Sequence, residues 1–433
     1  MATTFLSKTF STTGNRQKFT LSMWFKRGIV PVGNQSGTER MLFNAYQDSS
    51  NQDQIWLQSN GTINYVRNNA NAVTPSQVLR DSSAWYHVVF AGDTTQGSNA
   101  DRLKVYINGT QAPIGQQDTI TQNSNFGAIN NAQLSTFGRR NGSNDWYFDG
   151  SMANVEMVDG QQLTPAYFGS TDSNTGIWKP GGSSAISNYG TNGYKLKMDT
   201  TSPGADTSGK GNTFTPSGTP TLTQGNPDNN YACMNPLFAG DNSAITYSNG
   251  NLKTTATNEG QKNAVSTIGV SSGKWYCEMV SRNGNNYPGF GIMDSQSILQ
   301  TSISYLGSSV DSYCMFQDGN YYTNASAVST GTTWGVDSIM GISIDLNSAT
   351  KTIKFYKNGA EEHSATIATP ANDYVFAASH NQNGSITEMN FGEGFFGTTA
   401  AGTNADGNGQ GLFAYAVPSG YYALNTKNLE AYG

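Results

Sequence analysis

Few side chains in this 433-residue sequence could move a proton, and their spacing suits no familiar reaction. There are three histidines, His87, His363 and His380. His87 lies inside the strand-like run Ala84-Trp85-Tyr86-His87-Val88-Val89, where a structural role is expected, and His363 follows a turn, where exposure is expected. Hydrolysis of a sugar polymer needs two carboxylates about 5–9 Å apart across the scissile bond. On one strand that means acids at i and i+2 or i+4, because alternate side chains share a face. Glu278 stands alone on its strand, and Glu361-Glu362 sit just past a hairpin, where solvation is the default. The sequence holds no His-Glu-x-x-His pair. Gly407-Asn408-Gly409-Gln410-Gly411 has no strand before it and no helix after it to make a phosphate cradle. The expectation is a protein that is not an enzyme and requires no cofactor.

Binding chemistry has more candidates. Asp48 and Asp53, or Asp206 with Asn212, carry the hard oxygen atoms a calcium ion takes, although neither stretch has a defined calcium-loop pattern. Carbohydrate recognition uses exposed aromatic rings that stack on sugar faces, beside amides and carboxylates that read hydroxyls. Tyr287 in Asn285-Asn286-Tyr287-Pro288, and Tyr321 and Tyr322 in Gly319-Asn320-Tyr321-Tyr322-Thr323-Asn324, fit that description, as does Trp146 beside Asp145. The competing assignment is that these rings cover sheet edges or pack on a neighbouring subunit. It is preferred for Trp146 and stands level for the three tyrosines. Asn-Gly-Thr and Asn-Gly-Ser triplets at Asn60, Asn108, Asn141 and Asn383 have the form of glycosylation sites, but hairpin turns explain them better.

The elements that must position these groups are strands. Phe19, Leu21, Met23 and Phe25 alternate along one run, and Met340, Ile342, Ile344 and Leu346 along another. Asn108-Gly109 and Asn358-Gly359 are hairpin signals, because a type I′ turn needs positive φ at both central positions. Across the hairpin that follows the Met340 to Leu346 run, Ile353 and Phe355 are expected to face a core while Lys354 and Lys357 stay wet. Leu163 to Phe168 reads as a short helical turn with Thr164 as cap and Pro165 at the first helical position. No helix of three turns and no heptad repeat is expected.

Composition narrows the class. Only 36% of residues are apolar and 12% charged, so Asn, Ser, Thr, Gln and Gly carry the polarity, as in proteins of many short strands and turns. Aromatics at 11% argue against disorder. A net charge of −6 with no basic stripe argues against nucleic acid. No apolar run approaches the roughly 20 residues of a membrane span, and no signal peptide is recognised. Cys233, Cys277 and Cys314, odd in number and widely spaced, are expected as buried thiols, which suits synthesis in a reducing cytoplasm.

The chain reads as all-β, two antiparallel β-sandwiches joined by a compact loop-rich connector. Residues 1–170 form the first sandwich, 171–232 the connector, 233–395 the second sandwich and 396–433 a C-terminal loop and flap. The Phe19–Phe25 and Ala84–Val89 runs, the Tyr106-Ile107-Asn108-Gly109 hairpin and the stretch from Phe148-Asp149-Gly150 to Val158 together resemble a concanavalin A-like or laminin G-like jelly roll. In the second sandwich, Ser272 to Glu278, Gly289-Phe290-Gly291-Ile292, Met340 to Leu346 and Ile353 to Gly359 resemble a SPRY domain. Asp206 to Phe214, Asn235-Pro236-Leu237 and Pro418 to Leu429 resemble segments of bacteriophage virion proteins that carry such sandwiches.

That last resemblance implies a particle-surface protein, made in the host cytoplasm: a tail fibre or receptor-binding protein, or a capsid fibre or decoration. Its expected partners are other virion structural proteins and a host surface glycan or receptor, with homo-oligomers, trimers among them, and with no nucleic acid or membrane insertion. Two alternatives are a purely structural capsid or tail cement and, ranked lower, a polysaccharide hydrolase.

Overall fold

The computed structural model describes residues 4–28, 39–143, 145–182, 185–199, 202–238, 244–283, 287–296, 305–368 and 373–433. The chain divides into two units, Met1–Leu222 and Thr223–Gly433.

The first unit is built on two antiparallel sheets. One has eight strands in the order Ile114–Gln117, Ala70–Pro75, Ile63–Arg67, Asn51–Leu57, Arg40–Asp48, Leu134–Phe137, Phe5–Thr9 and Thr215–Ser217. The other has six, in the order Tyr194–Leu196, Gly150–Asp159, Lys18–Arg27, Tyr86–Asp93, Leu103–Ile107 and Thr110–Gln111. Phe19, Leu21, Met23 and Phe25 point into the shared core with Val88 and Phe90, as their alternation requires. The opposite face of the Lys18–Arg27 strand carries Thr20, Ser22 and Trp24, all buried. Val89, Val158, Phe168 and Tyr189 form a small second cluster, with Leu163 and Ile186 packed against it. The turn expected at Pro165 is a 3₁₀ helix, Pro165–Tyr167, that follows Thr164.

The segment expected to be a connector is split between the units. Tyr194–Leu196 pairs with the Gly150–Asp159 strand, and Thr215–Ser217 pairs with Phe5–Thr9, so each sheet of the first unit ends on a strand from this region. Tyr194 and Phe214 lie 4.8 Å apart, ring centroid to centroid, and both pack on Phe137. A boundary at residue 170 would strip those two rings and Leu196 from the core. Gly- and Ser-rich loops surround these very short strands and leave little periodic signal.

The second unit repeats the two-sheet plan. One sheet runs Ile245–Ser248, Lys253–Ala256, Ile386–Asn390, Lys274–Ser281, Ile339–Asp345, Thr352–Lys357 and Ala360–Thr366, with Tyr422–Ala423 alongside Trp275 and Tyr276 in parallel. The other runs Lys262–Val265, Tyr374–His380, Gly289–Asp294, Ser312–Phe316, Asn320–Thr323 and Ser326–Ser329. Trp275, Cys277, Met279, Ile342, Ile344, Ile353 and Phe355 fill the core between them. Cys233, Cys277 and Cys314 are buried and form no disulfide. Both Asn-Gly hairpins have the backbone the turn demands, with φ of 48° and 81° at Asn108 and Gly109 and 48° and 85° at Asn358 and Gly359. Among the described residues the longest helix is the seven-residue Thr426–Tyr432, started by the Asn425 side chain accepting from the Asn428 N–H.

Phe214→Ala tests whether the 190–217 region belongs to the first core. The expected loss is about 3–5 kcal/mol, read as reduced hydrogen-exchange protection of the Phe19–Phe25 strand. Unchanged protection there would make the region a separate connector.

Candidate functional site

The three tyrosines singled out by sequence do not share a surface. Adjacent residues on a strand face opposite ways. Tyr321 therefore turns into the sandwich, 5% exposed, with its ring 4.6 Å from His363 and 6.0 Å from Phe355. Burial pushes its hydroxyl above the ordinary tyrosine range. Tyr322 turns outward but is half-covered, edge-on to Phe316 at 5.3 Å and Tyr305 at 5.9 Å. Only Tyr287 presents an open ring, 50% exposed, on a residue with φ of 42°. Its expected neighbours Asn285 and Asn286 lie outside the described residues. Trp146 is a covering residue: its ring packs on Trp56 at 4.7 Å and carries the Arg140 guanidinium over it at 3.8 Å. Asp145 holds Arg140 there through bonds of 2.7 and 2.6 Å.

The calcium candidates are occupied by the protein itself. Asp53 is fully buried and accepts from the Tyr65 hydroxyl at 2.7 Å and from the N–H groups of Gly127, Ala128 and Ile129 at 3.3, 2.5 and 2.7 Å. Asp48 caps its own hairpin through the Ser50 N–H at 2.8 Å and the Asn51 amide at 3.1 Å. Asp206 gathers the N–H groups of Lys195, Ser208 and Asn212, while the Asn212 amide donates to the carbonyls of Thr191 and Gly193. Among the described residues no three His, Cys, Asp or Glu side chains are grouped to hold a metal ion. Sequence spacing suggested ligands here because it cannot show that a carboxylate's lone pairs are already filled by loop amides.

His87 sits 2.8 Å from the Ser22 hydroxyl, which has the look of a nucleophile and its base. The tautomer decides otherwise. Trp178 Nε1, which can only donate, lies 2.9 Å from His87 Nδ1. The ring proton is therefore on Nε2 and is donated to Ser22, leaving no lone pair for the hydroxyl proton. Burial lowers the pKa of His87 to about 3. His380 is enclosed by the hydroxyls of Thr254, Thr387 and Ser385, and burial lowers its pKa to about 4.

An open site does exist on the outer face of the second unit's larger sheet. Glu278, buried and alone on its strand, accepts from the N–H groups of Ala414 and Tyr415, both at 2.9 Å, and from the Asn390 amide at 3.2 Å. Burial pushes its carboxyl above the ordinary range against the pull of those donors. These bonds bring the C-terminal strap back over the sheet. Phe413 lies edge-on to Tyr276 at 5.1 Å, and Gly359 leaves room for the Tyr415 ring, which a Cβ would meet at 2.6 Å. A cleft of about 400 Å³ remains between sheet and strap. Tyr276, Tyr356, Lys354 and Glu361 line it from the sheet, and Val417, Pro418 and Tyr421 from the strap. Lys354 and Glu361 pair at 2.9 Å. The Tyr276 hydroxyl is drawn down to Glu278 at 3.4 Å and that of Tyr356 to Ser343 at 3.3 Å. None of the cleft was assigned from sequence, although the alternation that puts Tyr276, Lys354 and Tyr356 opposite the core residues was a usable signal.

Residues 5–166 match the family model of the concanavalin A-like lectin/glucanases superfamily, and residues 254–394 match that of the SPRY domain. The chain thus carries a concanavalin A-like domain followed by a SPRY domain. Similar solved structures include the SPRY domain of human HERC1, at 17% identity over 34% of this chain and 91% of that chain with a TM-score of 0.29. A human SPRY domain, at 18% identity over 34% of this chain and 94% of that chain, also has a TM-score of 0.29. No curated protein matches the chain.

The enclosed histidines give a pH signature. Their folded pKa values lie below the ordinary 6.5, so the unfolded chain binds more protons as pH falls. Stability is then lost from about pH 6.5 downward, by up to about 1.4 kcal/mol per pH unit for each ring, and the loss levels off below the folded values. NMR titration is expected to show His87 and His380 neutral from pH 8 to about pH 5. A midpoint near 6.5 at either ring would contradict its closed hydrogen-bond set.

Proposed function

We propose that this chain is a non-enzymatic surface protein of a bacteriophage virion, a tail fibre or receptor-binding piece or a capsid decoration, and that it serves adhesion to the host. Domains of the two matched families are usually binding domains without catalysis. The observation that carries adhesion is the open, tyrosine-lined cleft beneath the strap. A buried histidine facing its serine with a proton rather than a lone pair supports binding over hydrolysis. The virion assignment rests on the likeness of Asp206–Phe214, Asn235–Leu237 and Pro418–Leu429 to virion proteins.

A cement role is the second reading, favoured by the strand Ser326–Ser329. It ends its sheet, all four of its residues are exposed, and Val328 is 54% exposed, with no charge or proline to repel another strand.

Fab fragments raised against the chain separate the readings. On particles of the encoding phage they are expected to label the surface and to reduce adsorption to host cells at least tenfold. Surface labelling with normal adsorption would overturn adhesion and leave cement. Absence of the chain from purified particles would overturn the virion assignment.

A further inference from the structure

We infer that the cleft under the C-terminal strap is a site for a neutral saccharide, with a pyranose ring seated against Tyr421; the inference rests on the adhesion reading and names its ligand class. Three features of the cleft select this chemistry over the alternatives.

The first is charge. Lys354 and Glu361 face one another at 2.9 Å, so the rim offers donors and acceptors with no net charge to attract an acidic sugar or a charged peptide terminus. A pair of this kind still has unused ammonium protons and carboxylate lone pairs for ligand hydroxyls.

The second is the backbone. The cleft lies on the face of a sheet, where Thr352–Lys357 is paired on both sides, by Ile339–Asp345 and by Ala360–Thr366. On the strap, Pro418 has no N–H, and its carbonyl accepts from the Tyr421 N–H at 3.1 Å. An extended peptide laid on the sheet face would bring a row of amides that the doubly paired Thr352–Lys357 strand cannot satisfy, at a cost for each one desolvated. A sugar brings hydroxyls that need only a few side-chain contacts and can otherwise face water.

The third is the presentation of the rings. The rings of Tyr276 and Tyr356 are buried, 1% and 8% exposed, with their hydroxyls on Glu278 and Ser343, so they floor the cleft, and Tyr421, half-buried on the strap, is the ring left to meet a ligand. Val417 and Pro418 add apolar surface from the strap. Aromatic carbon beside a small polar set is the pattern that takes the apolar face of a pyranose. The volume of about 400 Å³ is at the small end for ligand sites and suits one or two sugar rings. One ring is expected to bind with a dissociation constant on the order of 1 mM, made useful on a particle by many copies acting together.

The test uses the full chain, screened against an array of neutral and acidic surface glycans and then by saturation-transfer NMR with each hit at 5–10 mM, roughly tenfold above the expected constant. At least one neutral glycan is expected to bind, with little change between about 50 and 500 mM salt. Tyr421→Ala is expected to weaken it at least tenfold, and Tyr287→Ala, outside the cleft, to leave it unchanged. The double variant Lys354→Gln/Glu361→Gln, which replaces the rim's charged hydrogen-bond partners by neutral ones, is expected to weaken it at least threefold, and the thermal transition of each variant is recorded alongside. Binding of acidic glycans alone, binding of none, or a neutral hit indifferent to Tyr421→Ala would overturn the inference. If the Fab fragments block adsorption and no neutral glycan binds, adhesion stands and the ligand class falls. If a neutral glycan binds in the cleft and the chain is absent from particles, the site stands and the virion reading falls.

Discussion

Buried carboxylates that collect loop N–H groups are the interaction on which both units depend. Asp53 holds Gly127, Ala128 and Ile129, and Asp159 holds Asn15, Thr191 and Asn192. Glu278 holds Ala414 and Tyr415, and Asp406 holds Asn408, Gln410 and Ala423. Long loops that cross a sandwich bury backbone donors that no ladder satisfies, and each unpaired donor would cost about 1–3 kcal/mol. A carboxylate answers two or three of them at once with charge-assisted bonds. In a chain with so few charged residues, several of the acids are thus spent on architecture.

Acids spent in this way are not available for the chemistry that their sequence context would suit. Asp53 and Asp206 have the composition of calcium ligands but point at amides. Ser22 and His87 have the separation of a catalytic pair but the opposite proton placement, because Trp178 donates to the far ring nitrogen. The same physics shapes the cleft. The bonds that the Ala414 and Tyr415 N–H groups donate to Glu278 help hold the strap over Tyr276 and Tyr356, together with the packing of Phe413 on Tyr276.

The Asn- and Gly-rich composition has its own cause in the loops. Most non-glycine residues with positive φ are asparagines, among them Asn68, Asn108, Asn249, Asn324 and Asn358. Asparagine tolerates the left-handed region better than other side-chain-bearing residues. Tight hairpins between short strands therefore draw on Asn and Gly in quantity, and charge is left out because the outer faces are themselves covered by loops, as over Val89 and Val158.

The sequence by itself determined the strands and which way most of them face. A period of two is a local property, so Phe19 to Phe25, Met340 to Leu346 and the Asn-Gly turns were legible without neighbours. The two domain resemblances followed from the order of those runs, and the family matches at 5–166 and 254–394 agree. Tertiary structure alone decided what the polar groups do. Glu278 meets Ala414 across 136 positions and Asp53 meets Ala128 across 75, and no local pattern encodes such partners. It also decided that Tyr321 is core, that the rings of Tyr194 and Phe214 belong to the first sandwich, and that a cleft exists at all. A side chain's exposure and protonation depend on what folds over it, and that is set by contacts distant in the chain.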